Sequence, residues 1–241
     1  FFFLNCLTSG FRSRKINGPP PLVQATIFVS MQPNVEGVPE SSSAEWPEAW
    51  YIPETLENQS YPNKIASGES VTVEILRSIG ISYWKMDAES YEYPVHSVPW
   101  DPKESLDPKL KKLRDDRGYS YADIITIHRD LLPDFDSKVK AFFEEHIHDA
   151  EEIRYVLGGS GYFDVRDLKD RWIRIHVKKG DLITLPEGIY HRFTCDENHL
   201  IHIMRLFVGQ PVWTPFNRPC DEHGSRKKYV DSYQDTTVKG C

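Results

Sequence analysis

Cysteine, clustered basic residues and long apolar runs are all scarce in this chain, and each shortage closes off a class of function. Only four cysteines occur in 241 residues, at positions 6, 195, 220 and 241, with no CxxC pair. A disulfide-stapled secreted domain carries more, so a reducing compartment is expected. Cys195 lies in an apolar-flanked run and reads as a small buried residue; none of the four reads as a nucleophile. Lysine and arginine total 29 against 36 aspartates and glutamates, a formal charge of −7. The positive residues are dispersed, which argues against nucleic acid or an anionic membrane surface as a partner. No run approaches the roughly 18–20 apolar residues of a membrane-spanning helix, so no membrane insertion is expected. The opening FFFLNCLTSGF is apolar but short and has no basic segment before it, which makes it a poor signal peptide. Met31 is the first methionine, and residues 1–30 are expected to stand outside the folded unit and the native product.

Residues 12–45 are rich in proline, serine, glycine, asparagine and charge, without helical or strand periodicity. Residues 1–45 are therefore expected to be a disordered or non-native leader. Aromatics become dense at Trp46 and Trp50, and no linker or internal repeat follows, so 46–230 reads as one domain and 231–241 as a tail. The first half carries helical spacing. In SVTVEILRSIG, Ser70 is placed to cap, Val71, Ile75 and Ile79 recur on one face, and Gly80 stops the helix. ISYWKM is a short strand. YADIITIHRDLL and FDSKVKAFFEE both read as helices, separated by Pro133. Ile124, Ile125 and His128 lie on one face of the first, and Phe135, Val139 and Phe142 on one face of the second. After His146 the period changes to two. EIRYVL, GYFDVRD, RWIRIHV, DLITLP, YHRFTC and LIHIMRLFV are separated by GGSG, DLKD, KKGD, PEG and DEN. Strands at that spacing predict an antiparallel sandwich or barrel, mainly β, with the helices in the N-terminal half.

Histidine is also rare, with nine in the chain, yet HIHDAEE (His146 to Glu152) holds two of them one residue apart and a carboxylate four positions on. On a strand, residues i and i+2 share a face, about 7 Å apart along the chain. His146 and His148 thus suit neighbouring positions around one ion, and the turn after them can bring Glu152 to it. A fourth ligand must come from another strand. In GDLITLPEGIYH (180–191), two turns flank a strand, and His191 starts the next one opposite the histidine pair. Three imidazoles and a carboxylate leave an octahedral ion two open positions, and imidazole favours Zn, Cu, Fe or Ni over Mg or Ca. The bland alternative is a set of polar surface turns. It leaves unexplained why two blocks of matching chemistry flank consecutive hairpins.

These two blocks resemble the paired motifs of the cupin superfamily: HIHDAEE with Gly159 after it, then Gly180, Pro186, Gly188 and His191. The second motif usually ends in asparagine four residues after its histidine, where this chain has Cys195. That departure removes a turn contact and leaves the ligands untouched. AFFEEHIHDAEEIRYVLGGSGYFDVRD, GDLITLPEGIYHRFT and MRLFVGQPVWTPFNRP, with YWKMD and YADIITI upstream, are similar to the acireductone dioxygenase family over about Trp46 to Val230. The resemblance implies a cupin-type antiparallel barrel (jelly roll) and an enzyme that cleaves 1,2-dihydroxy-3-keto-5-methylthiopentene with O2. It implies one Fe(II) per monomer, giving formate and 4-methylthio-2-oxobutanoate in methionine salvage. Ni(II) in the same ligands would give methylthiopropionate, formate and CO. The implied ligands are His146, His148, Glu152 and His191, and Arg154 would hold the substrate's anionic oxygens beside Glu152. Phe142 and Phe193 would lie near the substrate. A monomer in the cytoplasm, with the nucleus as a further compartment, is also implied.

Strand spacing independently puts Arg154 on the face of Glu152, where its guanidinium can offer paired donors to an enediolate. A salt bridge from Arg154 to Glu152 or Glu151 is the structural alternative, and Phe142 also fits a plain core stripe. Glu151 and Glu145 are the candidate bases. His128 reads as a core residue on a helix; His176, His199 and His202 read as strand residues with no competing ligand spacing, and His223 as part of a charged, exposed loop. WTPFN reads as a strap with Trp213 and Phe216 buried. A non-enzymatic cupin and a metal-dependent isomerase or zinc hydrolase are the rival readings; the hydrolase needs an acid–base pair near the ion.

Overall fold

One strand of 15 residues, Glu152–Arg166, organises the computed structural model, which describes residues 37–66, 68–90, 107–211 and 214–233. In chain order the elements are β1 (Ala49–Tyr51), α1 (Val73–Ser78), β2 (Ser82–Lys85), α2 (Pro108–Arg117), β3 (Tyr121–Ile127), α3 (Phe135–Phe143) and β4 (His146–Ile147). They continue with β5 (Glu152–Arg166), β6 (Trp172–Lys178), β7 (Asp181–Leu185), β8 (His191–Cys195), β9 (Ile201–Phe207), β10 (Phe216–Asn217) and α4 (Gly224–Tyr233). The strands form two antiparallel sheets that share β5. One is ordered β1-β6-β5-β8-β4-β10 and the other β2-β7-β5-β9-β3. The mainly-β antiparallel architecture expected from the period-two segments is therefore present, in the jelly-roll form that the resemblance implies, although one helix, α4, follows the strands instead of lying in the N-terminal half.

The first half of β5 pairs with β7 and β9, and the second half with β6 and β8. The changeover falls in GGSG, which the sequence reads as a turn. Instead the strand runs through it, with a register shift between Val156 and Gly158. Gly159 has φ +71, and a Cβ there would collide with the Leu200 carbonyl. Glycine here bends a continuous strand from one sheet into the next rather than ending it.

Between the sheets lies the main core, with Tyr83, Ile183, Leu185 and Ile203 from one side and Phe163, Val165, Ile173 and Ile175 from the other. A second apolar layer covers the outer face of the β2-β7-β5-β9-β3 sheet, where Trp84, Tyr155, Leu182 and Met204 meet Leu110 and Leu113 of α2. That second layer explains why a further element reads wrongly in the sequence. YADIITI is a strand, β3, paired with β9 from Tyr121↔Phe207 to Ile127↔Ile201. Ala122 and Ile124 face the outer layer while Ile125 and Ile127 face the inner one. A strand packed on both faces, fully on one and partly on the other, loses its period-two signature, and its isoleucines mimic a helical stripe. His128 consequently sits past a strand end and half-exposed, not in a helical core.

Local boundaries shift for similar reasons. Thr72, not Ser70, caps α1, its Oγ1 accepting from the Ile75 N–H at 3.4 Å. Residues from Val38 onward, read as leader, are ordered along β2, an edge strand whose free backbone groups need partners. The Ser41 N–H donates to the Tyr83 carbonyl at 3.1 Å, and Ser41 Oγ accepts from the Lys85 N–H at 2.7 Å. At the other end α4 runs to Tyr233, and the buried Tyr229 donates its hydroxyl to the Ile79 carbonyl at 3.1 Å. Residues 1–36 and 234–241, with Cys6 and Cys241, lie outside the described residues. Among the described residues no helix is long and apolar enough to cross a membrane.

Candidate metal centre

Strand alternation sends Ile147 fully into the core and leaves His146 on the opposite face of β4. β4 is held between β8 and β10, and the register places His191 directly across from His146. His148 follows at the end of the strand. The ring centroids lie 4.4 Å (146–191), 4.8 Å (146–148) and 5.4 Å (148–191) apart.

Each ring is oriented by one backbone carbonyl. Nδ1 of His146 meets the Glu144 oxygen at 2.7 Å, that of His148 the Thr214 oxygen at 3.2 Å, and that of His191 the Ile189 oxygen at 3.0 Å. A carbonyl can only accept, so each Nδ1 carries a proton and Nε2 is the ring nitrogen left to ligate. The three histidines bring ligand nitrogens within 4.8 Å of one another. Glu152, at the start of β5, places Oε2 3.2 Å from Nε2 of His148 and 3.5 Å from Nε2 of His191. Two donors bound at right angles to one ion at about 2.0–2.2 Å each stand roughly 3 Å apart, so these gaps suit a shared cation.

Electrostatics points the same way. Burial and the neighbouring His191 push His146 down to about 3, so its imidazole is neutral and free to ligate. Burial alone would raise Glu152. The Arg154 guanidinium, with the His191 and His148 rings close by, instead holds it well below the usual carboxylate range. Nε2 of His191 is buried and makes no hydrogen bond, a cost that a cation would remove. Three imidazoles and an ionised carboxylate thus fit a first-row transition metal and not an all-oxygen Mg or Ca shell.

The four residues line one end of a cavity of about 310 Å³. Phe142 and Phe193 line it too, with Ile125, Ile127, Phe163 and Ile203. Arg154 does both things the sequence allowed. Its Nη2 pairs with Glu152 at 3.0 Å, its Nη1 donates to the Ile153 carbonyl at 3.0 Å, and the side chain lines the cavity. Of the two candidate bases, Glu151 lines the cavity, accepting from the Tyr119 hydroxyl at 2.7 Å. Glu145 does not: Arg166 and Arg218 hold it at 2.8 and 2.7 Å away from the site.

Arg205 is a cavity residue that the sequence patterns do not reveal. It stands across from Arg154 in the β5–β9 register and is held by Asp123 at 2.7 Å. Its only signal is one charge on the apolar face shared by Ile203 and Phe207. The other histidines among the described residues stay clear of the centre. His202 contacts Thr126 Oγ1 at 2.8 Å, His176 lies between Trp50 and Tyr162, and His223 stacks on Phe216 at 4.3 Å. His199 occupies a turn with φ +50. In the WTPFN strap Phe216 is half-buried in β10, not buried, and Trp213 lies outside the described residues.

Cys195 is 4 % exposed, and burial pushes its thiol up to about 12. Site-resolved alkylation of the folded protein at pH 8 should therefore label Cys195 roughly a thousandfold more slowly than a free thiol. Labelling at the rate of the unfolded chain would contradict this burial.

Comparison with known proteins gives concordant results. A family model described as "ARD/ARD' family" matches residues 48–215. An acireductone dioxygenase of Gallus gallus is 51% identical over 183 residues, 76% of this chain and 94% of its own length. One of Danio rerio is 53% identical over 186 residues, covering 77% and 96%. Acireductone dioxygenase 2 of Physcomitrium patens is 51% identical over 186 residues, covering 77% and 89%. Among solved structures, an acireductone dioxygenase from Bacillus anthracis with cadmium ion in its active center aligns with TM-score 0.50 at 22% identity. That alignment covers 61% of this chain and 92% of the other, and it supports the fold.

Proposed function

Since this chain belongs to the ARD/ARD' family and is an oxidoreductase of the acireductone dioxygenase type, we propose that it cleaves 1,2-dihydroxy-3-keto-5-methylthiopentene with O2 in methionine salvage. With Fe(II) the products are formate and 4-methylthio-2-oxobutanoate; with Ni(II) they are methylthiopropionate, formate and CO. The observation that carries this reading is the convergence of His146, His148, His191 and Glu152 at the end of an apolar cavity, with Arg154 beside them. Cadmium in the active center of the Bacillus anthracis relative is consistent with it.

A transition metal held by these four residues would supply Lewis acidity and a template for an anionic, oxygen-chelating substrate. The protein supplies the rest. Glu152 stays ionised and keeps the site's charge fixed. Arg154 spends one donor on Glu152 and one on the Ile153 carbonyl. Three of its five N–H groups remain for the oxygens of an enediolate in the cavity. Phe142, Phe163, Phe193, Ile125 and Ile203 give the cavity an apolar wall that suits a methylthio tail and keeps water from the reacting carbons. Glu151, which lines the cavity and accepts from the Tyr119 hydroxyl, would receive the substrate's proton.

Reconstituting metal-free protein with Fe(II) or Ni(II) and following oxygen uptake with the acireductone tests the proposal. Uptake should require the metal, and the two metals should give different products. Turnover that persists in the stripped protein would sink it. Arg154→Lys should bind metal normally yet lose about 10²-fold in kcat/KM, because an ammonium cannot reproduce paired planar donors worth roughly 1.5–3 kcal/mol. Wild-type kinetics in that variant would remove Arg154 from substrate binding.

A further inference from the structure

The family match ends at residue 215, yet the segment after it hydrogen-bonds to the turn that follows His148 and to the loop that delivers His191. We propose that residues 214–233 form a latch that positions His148 and His191 for the cation, and that Ser225 fastens it; this rests on the metal-site reading above.

His146 and His191 take their orienting carbonyls from two residues earlier in their own loops. His148 alone depends on a distant one, the Thr214 carbonyl. From there the chain forms β10, whose Phe216 and Asn217 pair with Ile147 and His146. It then enters α4, and Ser225 Oγ donates to Asp149 Oδ1 at 2.6 Å, next to His148. His223 Nδ1 lies 3.4 Å from the same carboxylate oxygen. Arg226 Nη1 donates to the Gly188 carbonyl at 3.2 Å, in the loop that delivers His191, and its guanidinium covers the Tyr190 ring at 4.5 Å. The two loops are themselves joined, Gly188 N–H donating to the His148 carbonyl at 3.1 Å. Gly188 is also where the start of α4 rests: φ is +80, and a Cβ would run into the Ser225 carbonyl.

The α4 end therefore grips the turn after His148 and the turn before His191 at once. Ordering both turns before a cation arrives removes a conformational cost from binding and slows escape. Ser225 is 7 % exposed and its Oγ hydrogen-bonds to Asp149, which is not one of the four ligands, so it acts as a positioning residue.

The experiment uses the full chain loaded with Ni(II) and challenged with excess chelator. Ser225→Ala should release Ni(II) about tenfold faster than wild type, within the 10–100-fold range of outer-shell changes. Ser225→Thr, which restores a hydroxyl, should return the rate toward wild type, and S225A/R226A should release faster still. The Co(II)-loaded absorption bands should shift in S225A while the melting temperature of the metal-free chain stays put, a pattern that a purely structural contact would reverse. Equal release from wild type, S225A and S225A/R226A, all holding Ni(II), would overturn the latch. S225A alone decides the matter if the double variant does not fold. A wild-type chain that fails to retain Ni(II) or Co(II) would overturn the metal-site reading, and the latch with it.

Discussion

Glu152→Gln is expected to cut metal-dependent oxygen uptake at least a thousandfold and to leave the purified protein short of bound metal. The substitution keeps the side chain's shape, so packing at this 8 %-exposed position is preserved and only charge is lost. That charge sits 3.2 Å from His148, 3.5 Å from His191 and 3.0 Å from Arg154. A neutral amide is a far weaker ligand for a dication. It also leaves the Arg154 guanidinium without its counter-charge, so the cavity end becomes net positive before the cation enters. A loss of several kcal/mol of charge stabilisation corresponds to three or more decades in rate. The carboxylate also carries a pH signature. Its folded value lies below the ordinary carboxylate range, so its contribution to stability is full above that range. It is lost as pH falls through and below it, because the unfolded chain then binds the proton first. The metal-free wild type should thus lose stability on acidification below about pH 5, and the glutamine variant should lose less. Metal analysis and an oxygen electrode check the first claim. A glutamine variant with full metal content and normal uptake would remove Glu152 from the ligand set.

How much of this is legible in the sequence follows from what each residue type needs locally. The ligand set is, because HIHDAEE and the glycine–proline–glycine–histidine block depend on strand alternation and tight turns, both written in adjacent residues. Gly188 is an example: its φ of +80 and its close approach to α4 leave little besides glycine. What resists reading is set by distant packing. β3 looks helical only until α2 is known to cover its outer face. GGSG looks like a turn unless β5 is known to serve two sheets. Arg205 joins the cavity because Asp123 lies across the β3–β9 ladder, a pairing that no local pattern announces. In the same way the Thr214 carbonyl is a backbone atom and leaves no trace in composition.

Asp164→Ala should destabilise the fold severely, for a reason also hidden from local patterning. In RWIRIHV, Trp172, Arg174 and His176 alternate with Ile173, Ile175 and Val177, which marks one apolar face and leaves the cover of the other unread. The outer side of that sheet is covered by residues 50–62, and Arg174 is completely buried. Asp164 stands between Arg174 on β6 and Arg192 on β8, its cross-strand partners on either side. It accepts from Arg174 at 2.7 and 2.9 Å and from Arg192 at 2.9 Å. Arg192 is sandwiched between Phe143 and Trp172 at 4.1 and 4.2 Å. Removing the carboxylate strands two guanidiniums away from water, at a cost of about 3–5 kcal/mol. For a chain of this size that lowers the melting temperature by roughly 10 °C or more. Replacing all three charges together by Leu and Met of similar volume should recover much of the loss, since no unpaired charge remains. The network also touches function, because Arg192 adjoins His191, and Val165, next to Asp164, is the register partner of that ligand. The alanine variant should therefore release Ni(II) faster as well as melt earlier. Calorimetry of metal-free and Ni(II)-loaded protein separates the two effects. A drop in melting temperature below about 3 °C would mean that water reaches Arg174 and Arg192 and that the triad is not the buried clamp described.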